Sequence, residues 1–329
     1  MRLKDKTILL TGAGGFIGSH LAEALVKKAS KVKALVRYNS KRNCGNLEFL
    51  DKKIKKEIDI NFADIRETGI LSKVMQGVDV VFNLAALVGI PYSYVNPHEV
   101  AMVNTIGTLN VLKAARDAEV EKFVQTSTSE VYGSPDRVPI KEKDQLKPQS
   151  PYSASKIGSD SMALSFFYAF DMPVSIIRPF NTYGPRQSSR AVIPTIINQA
   201  LTTKTIRLGS LTPRRDFTYV KDTVEGFIKV AESKNSIGEV INIGTGRDVS
   251  VAEIMAMVER ILGVRLKVVK DSKRIRPIQS EVTRLLADNS KAKKLLNWEP
   301  KVDLKKGLKL TIDFVAKNPN LYDPKIYAV

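Results

Sequence analysis

Short apolar runs bounded by turn formers alternate with stretches of helical period through the first half of the chain. Strand-like runs at Lys6–Gly12 (KTILLTG), Lys31–Arg37 (KVKALVR), Val78–Ala86 (VDVVFNLAA) and Lys122–Thr128 (KFVQTST) are separated by helical patterns, among them Phe16–Ala29 and Val100–Ala118. Such alternation predicts an α/β fold, a Rossmann-type doubly wound parallel sheet. A helical stretch, SPYSASKIGSDSMALSFFYAF, and a strand, PVSIIRP, carry the pattern to Pro179. From Phe180 it changes.

The segment FNTYGPRQSSRAVIP is a polar, turn-rich connector. A helix near Thr195–Thr202, a short strand around Ile206 and a loop, LTPRRD, follow it. FTYVKDTVEGFIKVAES and EVINIGTG read as a further helix and strand, and SVAEIMAMVERILG opens with a Ser250/Glu253 capping box. The tail is helical, broken at NWEP. Residues 1–180 are therefore expected to form the dinucleotide-binding domain, with 216–245 returning to it. Residues 181–215 and 246–329 form a smaller C-terminal α/β substrate lobe.

A chain of 329 residues can bury a full core without staples. Its single cysteine, Cys44, permits no intrachain disulfide and gives no sign of an oxidising compartment. No run of about 18 apolar residues and no leader-like segment is present, so a soluble, unprocessed, cytoplasmic protein is expected. The 52 Lys and Arg outnumber the 34 Asp and Glu, but the lysines are scattered in short groups without an Arg-rich tail or interleaved aromatics. That distribution describes a solvated surface and predicts neither a nucleic-acid nor a membrane partner.

TGAGGFIG places Gly12, Gly15 and Gly18 between a strand and a helix, with Phe16 and Ile17 opening the helix. The first glycine lets the chain turn, the second lets a diphosphate approach and the third allows close helix packing. At the end of the next strand, where an NAD site usually has an acid, stands Arg37, followed by hydroxyl and basic residues. This favours NADP(H), while NAD(H) stays open because a guanidinium also stacks on adenine. Asp64 and Ile65 would border the adenine, and Ala85 and Ala86, ending a strand, would line the same site.

YSASK sets Tyr152 and Lys156 one helical turn apart on one face. A phenol is a poor base at neutral pH, and a neighbouring ammonium favours the phenolate. Thr126, Ser127 and Thr128 end a strand shortly before, and Glu130 stands beside them.

TGAGGFIGSH, TSTSEVYG, SPYSASK, RPFNTYGPRQ, RRDFTYVKD and NWEP together resemble the extended short-chain dehydrogenase/reductases, and among them the nucleotide-sugar 4,6-dehydratases. QSPYSASKIGSD and NTYGPRQSSRAVIP are most similar to GDP-N-acetylglucosamine 4,6-dehydratases of legionaminic acid biosynthesis. The resemblance implies that Tyr152 removes the O4 proton, Lys156 lowers its pKa and holds the nicotinamide ribose, and Thr128 hydrogen-bonds O4. Oxidation at C4 makes the C5 hydrogen acidic, and Glu130 would remove it as the C6 hydroxyl leaves.

Ser129 stands where dTDP-glucose dehydratases carry the Asp that protonates the leaving group; GDP-mannose dehydratases share Thr-Ser-Glu, so Glu130 could serve as both base and acid. UDP-glucuronate decarboxylases resemble TSTSEVYG too, and 4-epimerases of the same family form a further alternative. A dinucleotide sensor is the non-enzymatic one. Asn181, Arg215 and Arg276 match diphosphate-gripping positions, and Arg186 lies in the same connector. The helices of VAMVNTIGTLNVLKAA and SASKIGSDSMALSFFYAF are expected to form a homodimer through a four-helix bundle, or a tetramer of such dimers. His20 and His98 have no metal-ligand spacing, and no metal is expected.

Overall fold

The computed structural model describes residues 1–322 except Ser30, Arg42 and Arg276. Seven parallel strands form the central sheet: β1 (Thr7–Thr11), β2 (Lys31–Val36), β3 (Ile58–Phe62), β4 (Val80–Asn83), β5 (Lys122–Thr126), β6 (Val174–Pro179) and β7 (Val240–Ile243). Their spatial order is β7-β6-β5-β4-β1-β2-β3, with every neighbouring pair parallel. The order reverses between β1 and β4, and a doubly wound sheet opens its ligand crevice at the carboxyl ends of such strands. Strands buried on both faces read as near-continuous apolar runs, as at Ile8–Leu10 of β1 and Val80–Phe82 of β4, and β6, VSIIRP, is buried at every position, Ser175 and Arg178 included.

Two helical layers cover the sheet. On one face Leu21 and Leu25 of α1 (Phe16–Val26) and Val224 and Phe227 of the later helix Val220–Glu232 pack over Ile8, Leu10, Val32 and Ala34. On the other, α2 (Thr68–Met75), α3 (Gly107–Asp117) and α4 (Pro151–Phe170) cover Leu9, Leu35, Val81 and Phe123. The alternation of Ile8, Leu9 and Leu10 between the two cores is the period-two geometry of a strand.

The smaller lobe contains α5 (Val192–Thr202), α7 (Val251–Leu262) and α8 (Leu304–Lys317), α6 being Val220–Glu232. Within it Thr205–Leu208 pairs in parallel with Lys267–Lys270, a strand whose mostly exposed KVVK sequence gives no alternating signal. Short strands at Arg214–Arg215, Val249–Ser250 and Arg284–Leu285 form a second small sheet. Asn181–Tyr183 and Phe217–Tyr219 pair where the chain crosses between the units. The last of these is the start of the stretch that reads as helix from sequence; the helix itself begins at Val220.

Local chemistry fixes the important boundaries. Ser250 Oγ accepts from Glu253 N at 3.1 Å and Glu253 Oε2 accepts from Ser250 N at 2.7 Å, the reciprocal cap expected at the start of α7. The stretch Val100–Ala118 is not one regular helix, because Met102–Ile106 forms a π turn before α3. Asn104 within that turn accepts from Leu87 N at 2.8 Å and donates to Leu87 O at 3.0 Å and Ser155 Oγ at 2.9 Å. The insertion thereby ties the loop after β4 to α4. Among the described residues no helix is long and apolar enough to cross a membrane.

Candidate active site

A cleft of about 980 Å³ runs across the carboxyl ends of the strands and continues between sheet domain and smaller lobe. Gly12, Gly15, Phe16, Ile17 and Gly18 line it at one end, with Arg37, Asp64, Ile65, Ala85 and Ala86. Gly12 adopts φ +68°, and a Cβ there would lie 2.8 Å from Ala85 N. At Gly18 a Cβ would meet Gly12 O at 2.2 Å, so the helix can approach the loop only without a side chain. Gly15 caps α1 with no side-chain hydrogen bond, and no acid stands in the first turn. The first N–H groups of a helix lack intrahelical acceptors, so this bare, close-packed end fits the diphosphate of a dinucleotide.

The loop after β4 is held beside those glycines by Thr11. Its hydroxyl donates to Asn83 Oδ1 at 2.7 Å and accepts from Leu84 N at 3.1 Å and Ala85 N at 3.0 Å. At the same end of the cleft Asp64 accepts from Arg66 Nε at 2.9 Å and NH2 at 2.7 Å. The Arg66 guanidinium holds the Asp64 carboxyl below its ordinary range.

Thr128, Ser129, Glu130, Tyr152 and Lys156 meet at the middle of the cleft. Ser150 caps α4 and accepts from Ser153 N at 3.1 Å, with Pro151 in the first turn, so Tyr152 and Lys156 rise from the helix start toward the end of β5. Thr128 Oγ1 accepts from Glu130 N at 3.2 Å as the next turn begins. Burial raises the Tyr152 phenol well above its ordinary value, opposed by a hydrogen bond with Thr128 and reinforced by the charges of Glu130 and Asp160. Lys156 donates to Thr126 O at 2.5 Å, and burial lowers its ammonium to about 8 against the pull of Asp160.

Behind this turn lies a buried polar network. Ser127 Oγ donates to Asp160 Oδ2 at 2.6 Å, Arg178 NH2 reaches the same oxygen at 3.0 Å, and Arg178 NH1 donates to Tyr132 Oη at 2.9 Å. Tyr132 in turn donates to Asn242 Oδ1 at 2.8 Å on β7.

Toward the smaller lobe, Asn181 and Arg215 line the cleft. Asn181 Oδ1 and Gln187 Oε1 are buried without a hydrogen-bond partner among the described residues, which suits a polar ligand. Arg215 donates to Arg214 O at 3.0 Å and lies 3.6 Å from Glu281. Arg186 is not among the lining residues: its guanidinium donates to Glu23 of α1 at 2.7 Å, beside the contact of His20 Nε2 with Pro185 O at 2.9 Å. Arg276 lies outside the described residues.

Sequence reasoning passed over Arg190, Gln187 and Glu281, all of which face the cleft. A second basic residue in the connector, four positions after Arg186, was the available signal for Arg190. Glu281 carried none. Among the described residues no group of three or more His, Cys, Asp or Glu could hold a metal ion.

The family model described as GDP-mannose 4,6 dehydratase matches residues 9–311. The chain belongs to this family of nucleotide-sugar dehydratases and epimerases within the extended short-chain dehydrogenase/reductases. It is 34% identical over 315 residues to an uncharacterized UDP-glucose epimerase, YtcB, of Bacillus subtilis, covering 94% of this chain and 98% of that protein. Among solved structures, the dTDP-glucose 4,6-dehydratase DesIV of Streptomyces venezuelae with NAD and TYD bound superposes with a TM-score of 0.87. That match has 30% identity and covers 97% of this chain and 99% of the other. The UDP-glucuronic acid 4-epimerase of Bacillus cereus, in complex with UDP-glucuronic acid and NAD, gives 0.86 at 33% identity, covering 94% and 99%. Epimerases, in the motifs only a further alternative, thus stand beside dehydratases among the relatives.

Proposed function

We propose that this enzyme is a nucleotide-sugar 4,6-dehydratase, converting an NDP-hexose to the 4-keto-6-deoxy sugar, with GDP-N-acetylglucosamine the first substrate to test. The observation that carries the reading is the carboxylate of Glu130 in the same cleft as Tyr152 and near enough to act on its charge. An epimerase that only removes and returns a hydride at C4 has no step for a second base.

A bound nicotinamide supplies the hydride acceptor at C4 and the hydride donor at C6. Tyr152, on its hydrogen bond with Thr128, takes the O4 proton, and Lys156 holds the nicotinamide ribose beside it. Glu130 removes the C5 proton once C4 is a ketone. With Ser129 where an acid stands in other dehydratases, Glu130 also returns that proton to the departing C6 hydroxyl and, reprotonated from solvent, protonates C5 as the hydride reaches C6. Asn181, Arg215 and Arg276 grip the diphosphate, joined by Arg190. Arg37 at the end of β2 supports NADP(H) over NAD(H) as the dinucleotide.

The helices α3 and α4 support a homodimer. Ile106, Met162, Tyr168 and Phe170 are large apolar residues exposed on or beside them. Light scattering at micromolar protein is expected to give at least a dimer, and a monomer alone would remove this assignment.

The functional test is mass spectrometry of the protein with GDP-N-acetylglucosamine, GDP-mannose, dTDP-glucose, UDP-N-acetylglucosamine and UDP-glucuronate in parallel. Loss of one water from a hexose, abolished by Glu130→Gln, supports the dehydratase. A product of unchanged mass and inverted C4 identifies an epimerase, the reading favoured by the names of several relatives, and loss of carbon dioxide from the glucuronate identifies a decarboxylase.

A further inference from the structure

Arg37 belongs to a cluster of charges at the adenosine end of the cleft, with Glu99, Asp64 and Arg66. Its guanidinium lies 3.8 Å from Glu99 Oε1, while Asp64 and Arg66 form the two-bond pair described above. The pairs also act on one another, Arg37 on Asp64 and Glu99 on Arg66. Among the described residues Arg37 thus already has an anionic partner in Glu99.

Glu99 is placed independently of any ligand. It stands in the first turn of the helix Pro97–Ala101, capped by Asn96, and its carboxylate accepts from the Tyr92 phenol and from Asn96 Nδ2 at 3.2 Å. Arg37 by contrast is 63% exposed and faces the cleft. One partner is fixed and the other is free to turn toward a ligand.

A phosphate monoester carries close to two negative charges at neutral pH. To meet a ribose 2′-phosphate, Arg37 must loosen its contact with Glu99 or bring the phosphate near that carboxylate, and like charges at such range repel. A ribose with free hydroxyls meets no such conflict. We infer that Glu99 is a specificity-determining residue: by holding Arg37 and setting a fixed negative charge beside it, it narrows the preference for a 2′-phosphorylated dinucleotide. The inference rests on the reading of Arg37 as the 2′-phosphate partner.

The test needs no turnover. Full-length protein is equilibrated with equimolar NAD⁺ and NADP⁺ and freed of unbound nucleotide, and the retained pair is quantified by chromatography after denaturation. Glu99→Gln is expected to raise the bound NADP⁺:NAD⁺ ratio roughly two- to fivefold, the range of a partly exposed ion pair, and Arg37→Gln to lower it. Glu99→Ala serves as a second variant, each being checked for folding by thermal unfolding. If neither Glu99 variant raises the ratio while Arg37→Gln lowers it, the role of Glu99 is overturned and that of Arg37 stands. If Arg37→Gln leaves the ratio unchanged, the 2′-phosphate reading fails and the inference falls with it.

Discussion

Asp160 and Arg178 face each other in the core behind the tyrosine–lysine turn, 3.0 Å apart, with side chains only 3% and 4% exposed. The pair joins α4 to β6, and Ser127 and Tyr132 extend it to the strand end and the turn that carry Thr128 and Glu130. Removing one member strands a buried charge. Asp160→Asn or Arg178→Met alone is expected to cost roughly 3–5 kcal/mol in chemical denaturation, whereas Asp160→Leu with Arg178→Met recovers most of it. A double variant no more stable than the singles would show that the surrounding hydrogen bonds, not the charge pair, dominate.

The connector arginines separate by function. Arg190 faces the cleft, and Arg186 is turned onto Glu23. Arg190→Gln should raise KM for the nucleotide sugar by roughly 10-fold with little change in kcat, as expected when a charge-assisted contact to the bound ground state is lost. Arg186→Gln should leave KM alone and lower the thermal midpoint. Steady-state kinetics of the two variants decide this, and a matching rise in KM for Arg186→Gln would place that side chain on the substrate after all.

The alternation of the first half was legible because parallel strands buried on both faces leave unbroken apolar runs such as Ile8–Leu10 and Val80–Phe82. Glycine spacing and the caps were legible because Gly18 and Ser250 act through backbone contacts a few residues away. What the sequence concealed depends on distant partners. The π turn at Met102–Ile106 is held by Asn104 reaching Leu87 and Ser155, and nothing in its local pattern departs from a helix. That the Lys156 ammonium donates to Thr126 O, 30 residues earlier, had no local signal either. The side on which Arg186 would fall was set by Glu23, far away in the chain.

Lys122, at the start of β5, is buried at 1% exposure and donates to Ser233 O at 3.3 Å and Ser236 Oγ at 2.8 Å. Burial pushes its ammonium down from 10.5 to about 7. Between those values the unfolded chain holds a proton that the folded chain has released, so stability should rise with pH across the window; below about 7 both states are protonated and the cost of the buried charge remains in full. Lys156, lowered to about 8, acts in the same direction over the upper part. Lys122→Met is expected to flatten the slope and to be more stable than the unaltered protein by about 1 kcal/mol near pH 6. Denaturation midpoints that keep the same pH dependence in the variant would show that Lys122 stays charged in the fold.

On the proposed mechanism, Thr128 sets how readily Tyr152 acts as a base. Burial and the charge of Glu130 raise the phenol, and the hydrogen bond with Thr128 is the interaction that lowers it. Removing that bond in Thr128→Val moves the phenol further up, so a smaller fraction is ionised at any given pH and the rising limb of kcat/KM shifts to higher pH. A one-unit shift is a tenfold loss at neutral pH, and because the same hydroxyl is lost to O4, a fall in kcat of about 10²-fold is expected. Thr128→Ser keeps the hydroxyl and should restore the limb, while Tyr152→Phe should abolish turnover and leave the amount of retained dinucleotide unchanged. A pH profile of Thr128→Val that is merely scaled down, with its limb unmoved, would mean that Thr128 serves the substrate alone and that the phenol is tuned elsewhere.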